Sequence, residues 1–143
     1  SNWTSAQLKS IPTQRRVLVT QHRAFSHLTE RFKLRELPVI DSFATGGTLR
    51  PSSLGRIVSE VQKSGSRVLF TESLPVNKTL RRISRASGVP VSNSPLFPDG
   101  LAPGGLSTIE TATSNICVIV KGQGSNCDQQ AADQIASRWG SIR

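Results

Sequence analysis

Methionine and tyrosine are absent from the 143 residues, and the only aromatic side chains are five Phe and two Trp. Without a methionine, the natural start codon is expected to lie outside this sequence. Two cysteines are too few for a disulfide scaffold, and Cys117 and Cys127 fit neither Cys-x-x-Cys nor Cys/His zinc spacing. They flank Gly122 and Gly124, which leaves two alternatives: a Cys117–Cys127 disulfide in an exported protein, or a buried free Cys117 with an incidental Cys127. No apolar run approaches the roughly eighteen residues of a membrane span, and no basic n-region leads into an apolar h-region. A soluble or trimmed chain, without an intact signal peptide, is the expectation. Also missing are G-x-G-x-x-G, G-x-x-x-x-G-K-[ST] and G-x-S-x-G, and Gly46-Gly47 is too isolated to cradle a phosphate.

Acidic residues are scarce as well. Nine Asp/Glu stand against eighteen Lys/Arg, for a net charge of +9. The excess lies entirely between Ser1 and Asp99, with fifteen basic and six acidic residues, whereas Gly100 to Arg143 holds three of each. This balance permits anionic partners. The basic residues are scattered and carry no RNA-recognition, zinc-finger or homeodomain signature, so no nucleic-acid partner is expected. Arg81, Arg82 and Arg85 form the densest group, read either as a solvated helix face or as a docking or anion-binding face.

What is present is an alternation of strand and helix patterns in a chain of about one domain. Trp3 to Ile11 is amphipathic and stops at Pro12; Arg15 to Thr20 reads as a first strand; Arg23 to Phe32 carries apolar residues at helical spacing. Leu37 to Phe43, containing Pro38, reads as a second strand at the sheet edge. A helix is expected from Pro51 to Gly65, a both-faces-buried strand over Ser66 to Ser73, a helix capped by Asn77 and ended at Gly88, and a fourth strand over Val89 to Ser92. Pro95 to Gly105 is a loop, followed by helices from about Ser107 to Lys121 and from Asp128 to Trp139. The expected fold is α/β, a three-layer flavodoxin-like lobe with a four-stranded parallel sheet of order 2-1-3-4 flanked by helices.

In that order the first and third strands are central, and their carboxyl ends carry His22 and Glu72. Open parallel sheets bind ligands in the crevice beyond those ends, at the switch point, and the loop after the fourth strand brings Asp99 to the same rim. One imidazole and two carboxylates suit a borderline or moderately hard divalent cation such as Zn²⁺ or Mn²⁺. Each residue also has an ordinary reading: a histidine after a strand is commonly a hydrogen-bonded structural residue, and Asp before Gly is a common turn residue. Glu72 has the strongest individual case, because an unpaired carboxylate at the end of an apolar strand is costly.

The segments Val17-Leu18-Val19-Thr20-Gln21-His22-Arg23-Ala24-Phe25, Val68-Leu69-Phe70-Thr71-Glu72-Ser73 and Leu96-Phe97-Pro98-Asp99-Gly100-Leu101 resemble the C-terminal lobe of the zinc/manganese solute-binding proteins of bacterial ABC transporters. Arg31 to Leu34 and Asn115 to Val120 resemble further segments of that lobe, so the resemblance runs from about Trp3 to Gly122. It implies that His22 and Asp99 are metal ligands, and that Glu72 is a ligand in manganese-type members or a nearby acid in zinc-type ones. Histidine at the first position leans toward zinc. Residues 1–12 correspond to the end of the helix between lobes, 123–143 to an extra C-terminal segment, and 1–143 to a single C-terminal metal-binding lobe. The partners implied are the missing N-terminal lobe, which supplies two more histidines, and the membrane permease of an ABC transporter. Arg23 departs from the pattern, standing where the family has Asp or a small residue.

The function expected is therefore the extracytoplasmic, membrane-associated binding of a transported divalent metal, not enzymatic catalysis. Two other readings remain: a degenerate lobe retained as a docking module, for which Arg23 argues, and a flavodoxin-like enzyme or receiver domain using Glu72 or Asp99.

Overall fold

The run Val17–Thr20 forms β1, and all four of its side chains are buried, as the absence of any charged residue between Arg16 and His22 dictates. In the computed structural model, which describes residues 2–43, 50–98 and 108–140, β1 pairs in parallel with β2 (Arg35–Pro38), Val19 lying opposite Leu37. Around them are α1 (Asn2–Lys9), α2 (Ser26–Phe32), α3 (Val39–Phe43), α4 (Pro51–Ser64), α5 (Lys78–Ser87), α6 (Thr108–Gly122) and α7 (Gln129–Gly140).

The alternation of side chains along β1 divides the interior in two. Leu18 and Phe70 face a core shared with Leu8, Phe25, Ile116 and Ile119, whereas Val17, Val19 and Leu69 face Ile57, Val61, Leu80 and Ile83. Helices α1, α2 and α6 therefore cover one face and α4 and α5 the other, giving the expected three layers.

The expected four-stranded sheet is not formed: among the described residues the sheet has two strands. The segments expected as third and fourth strands do lie alongside. Phe70 N–H donates to Val19 O at 2.8 Å, and a single parallel bridge joins Leu69 to Val91. The ladder goes no further because side chains intercept the neighbouring donors. Arg67 N–H goes to Gln123 Oε1, Thr71 N–H to Ser92 Oγ and Glu72 N–H to Gln21 Oε1, while Pro90 has no N–H to give. Leu37 to Phe43 is also corrected. The strand ends at Pro38 and the next five residues turn into α3.

Helix signals are read correctly where caps specify them. Pro51 opens α4 and Gly65 closes it with φ +79°, and Asn77 accepts from Thr79 and Leu80 N–H before Gly88 ends α5 with φ +76°. At Gly122 the requirement is space: an added Cβ would sit 2.8 Å from the Phe70 ring. Cys117 and Cys127 form a disulfide with Cα atoms 5.3 Å apart, which resolves the two alternatives and closes the chain just before α7. No helix among the described residues is long and apolar enough to cross a membrane.

Candidate metal centre

Where β1 ends, the chain becomes polar within two residues. Gln21 stays buried; its side chain accepts from Glu72 N–H at 3.1 Å and its carbonyl from Ile40 N–H at 3.0 Å. These two bonds draw the ends of three segments together, with His22 at the point where they meet. Thr20 Oγ1 donates to His22 O at 2.9 Å and fixes the turn.

His22 N–H donates to Glu72 Oε2 at 3.2 Å, so the structure brings these two predicted residues together. The contact is through the main chain of His22. The imidazole itself faces Asp41 on α3, its Nδ1 lying 2.7 Å from Oδ1. Asp41 Oδ2 accepts from Arg23 N–H, also at 2.7 Å. A carboxylate only accepts, so Nδ1 carries a proton, and in the neutral imidazole the lone pair is on Nε2, which has no hydrogen-bond partner among the described residues. This is the arrangement in which metal-ligating histidines are held: one ring nitrogen fixed by a carboxylate, the other presented outward. The pair is half-exposed, 54% for the His22 side chain and 43% for Asp41.

The two acids sit in different electrostatic settings. Asp41 is held below the usual carboxylate range, first by the Arg23 N–H and then by the His22 ring. Glu72 is pushed above it because it is partly withdrawn from water, an effect that the His22 N–H opposes but does not cancel. A carboxyl made reluctant to ionise gains most from a nearby cation.

Arg23 does not bring its charge to the site unopposed. Nη1 pairs with Glu36 Oε1 at 2.8 Å, and the Glu36 side chain is only 5% exposed. The same carboxylate accepts from Ser26 Oγ and from Phe25 N–H, so Glu36 on β2 holds the guanidinium and ties down the chain just ahead of α2 and its first residue.

Asp99, the third predicted residue, lies outside the described residues, as does the Thr45-Gly46-Gly47-Thr48 loop. Among the described residues no three His, Cys, Asp or Glu side chains are grouped closely enough to hold a metal ion. The residue that sequence reasoning missed is Asp41. Its signal was local: an acid three residues after Pro38, the first-turn position that complements a helix dipole.

Comparison with known proteins adds the family context. The profile of the family described as zinc-uptake complex component A, periplasmic, matches residues 1–122. Among solved structures, the periplasmic zinc binding protein TroA from Treponema pallidum superposes with a TM-score of 0.71 at 21% identity, over 85% of this chain and 46% of that one. The laminin binding protein Lmb of Streptococcus agalactiae, described as having adhesin and metal transporting activity, gives 0.66 at 26% identity, over 85% and 46%. The metal-binding protein YtgA of Chlamydia trachomatis is 25% identical over 76% of this chain and 38% of its own length. The chain thus spans less than half the length of each of these relatives. With most of its length matched by the family profile, the chain belongs to the family of periplasmic zinc-uptake complex component A.

Proposed function

We propose that this chain is one lobe of an extracytoplasmic solute-binding protein that captures a divalent transition metal, Zn²⁺ or Mn²⁺, for an ABC-transporter permease. The role is binding and release, with no bond chemistry. His22 supplies Nε2, Asp99 a carboxylate oxygen, and Glu72 a further oxygen or a neighbouring negative charge; the metal is cargo. In this reading residues 1–12 end the helix between lobes, and 123–143 follow the region matched by the family profile.

The observation that carries the reading is the His22–Asp41 contact at 2.7 Å, which orients the imidazole for ligation. A neutral imidazole with carboxylate oxygens suits Zn²⁺ and Mn²⁺ and disfavours ions that prefer thiolates. The guanidinium of Arg23, the strongest argument for a lobe that has lost its metal, is taken up by Glu36. That observation favours metal binding over the docking-module reading.

Ligands from one lobe leave coordination positions to be filled by another, so the 143-residue chain alone should bind weakly, at micromolar affinity at best. Calorimetric titration with ZnCl₂ and MnCl₂ tests this directly. Heat should be released by the native chain and lost in His22→Ala; equal heats from both, or none in a protein containing both lobes, would end the reading.

A further inference from the structure

We propose that the outward face of α5 is a docking surface for a bilayer bearing anionic headgroups. Lys78, Arg81, Arg82 and Arg85 fall at i, i+3, i+4 and i+7, a single helical stripe, while Leu80 and Ile83 bury the opposite side in the core. All four cations are exposed, and together they line one shallow surface depression. From Lys78 to Arg85, seven steps along the helix, the stripe is about 10 Å long.

Helix stability does not account for this array. The sequence of α5, KTLRRISRAS, contains no acid, so every i,i+3 and i,i+4 pair within the stripe is repulsive. Lys78 sits in the first turn, the end of the helix dipole that disfavours cations. None of the four side chains makes a hydrogen bond or ion pair among the described residues. Some basic residues elsewhere are used inside the fold: Arg16 donates to the carbonyls of Lys9 and Ile11 at the end of α1, and Arg35 to those of Gln14 and Ser64.

The chemistry of the face selects the partner. No aromatic residue is interleaved with the cations, so the stacking that holds single-stranded nucleic acid is missing. Nor do the four groups converge from different elements on one point, as they would around a single phosphate. One ammonium and three guanidinium groups, on flexible stems spread along a line, match a fluid array of monoanionic headgroups. Four residues before Lys78 stands Leu74, 61% exposed and the one large exposed hydrophobic among the described residues. A basic stripe with a single apolar finger at its end is an interfacial pattern, the charges meeting headgroups and the leucine entering below them.

Flotation of the full chain with vesicles tests the proposal. Phosphatidylcholine doped with phosphatidylglycerol should capture the protein at low salt, pure phosphatidylcholine should not, and capture should fall as salt rises. Changing Lys78, Arg81, Arg82 and Arg85 together to Gln should weaken partitioning about a hundred-fold or more. The charge-matched control, Lys9, Lys33, Lys63 and Lys121 to Gln, should lose less than about ten-fold, because those charges are off the stripe. Leu74→Ser should weaken capture a few-fold with the salt dependence unchanged. Circular dichroism and melting confirm folding; should the quadruple variant unfold, the double variant Arg81→Gln, Arg85→Gln gives the same comparison at about a ten-fold scale. Equal losses in the stripe variant and the control would overturn the proposal, reducing the effect to net charge. Failure to bind either vesicle, with capture by an oligonucleotide or polyglutamate instead, would overturn it in favour of another polyanion.

Discussion

The two ends of β1 are both lined by polar residues and do opposite things. At the amino end the described buried polar side chains are all paired. Gln123, fully buried, donates to Val17 O and Ser66 Oγ and accepts from Arg67 N–H, while its own carbonyl accepts from Arg15. Arg35 closes the carbonyls of Gln14 and Ser64. The bonds there run from amide and guanidinium donors to carbonyl and hydroxyl acceptors, and no carboxylate takes part. At the carboxyl end His22, Asp41 and Glu72 are joined by hydrogen bonds that stop short of saturation, leaving His22 Nε2 and one Glu72 oxygen unclaimed among the described residues. A saturated polar cluster holds a fold; an oriented but unsaturated one is what the proposed metal site requires.

Breaking the saturated end should have the largest effect. Gln123→Leu keeps the approximate volume but strands the Arg67 N–H and the Val17 carbonyl in the interior, each costing about 1–3 kcal/mol. A loss of roughly 3–5 kcal/mol in urea unfolding is expected, a large share of the stability of a domain this size. The Cys117–Cys127 disulfide encloses Gln123 in a ten-residue span and limits the freedom of its segment when the chain unfolds, a contribution of about 2.5–3 kcal/mol in the chain-entropy account. Under folding conditions metal affinity should be unchanged, since nothing at this end faces the site.

The difference between the ends also decides what could be read from the sequence. His22 and Glu72 were legible because each ends an apolar run, and that position in an α/β sheet is where ligands bind. The helices were legible through Pro51, Gly65, Asn77 and Gly88, residues whose backbone chemistry is local. What could not be read depended on contacts distant in sequence. The third and fourth strands fail to complete a ladder because Gln123, Ser92 and Gln21 take their donors, and no periodicity announces that. Helix α3 is five residues long, too short to show a helical period or to form alone, so Val39–Phe43 looked like a strand and Asp41 was overlooked.

Asp41→Asn sharpens the contrast at the open end, with an intermediate effect. The Arg23 N–H keeps an oxygen acceptor. The amide then turns its NH₂ toward His22 Nδ1, which must accept, moving the ring proton to Nε2, the atom that the proposed function assigns to the metal. Metal affinity should fall about 10–100-fold with stability nearly unchanged. Nitrogen NMR of His22 reads the tautomer without any metal, and an unchanged tautomer would remove Asp41 from the site. Asp41 also supplies a pH test. Its folded pKa is depressed, so its stabilisation is present above the ordinary value of 3.8 and is lost as pH falls through the lower folded value. The variant should lack that acid limb.

Glu72→Gln should have the smallest effect on stability and the opposite sign. Because burial raises the folded pKa of Glu72, the protonated carboxyl favours the fold at low pH, and that contribution is lost as pH rises from about 4.5 through the folded value. At neutral pH the ionised side chain is a modest liability. Glutamine retains an oxygen for the His22 N–H and carries no charge, so the variant should equal or exceed the native chain by about 0.5 kcal/mol at pH 7 and lose that advantage on acidification. Metal binding should move the other way: weaker in the variant at neutral pH, while in the native chain a proton competes with the cation at a higher pH than at an ordinary glutamate. A residue whose removal stabilises the empty fold and weakens the loaded one is held in place by its ligand, whereas a variant less stable at pH 7 would mark Glu72 as structural.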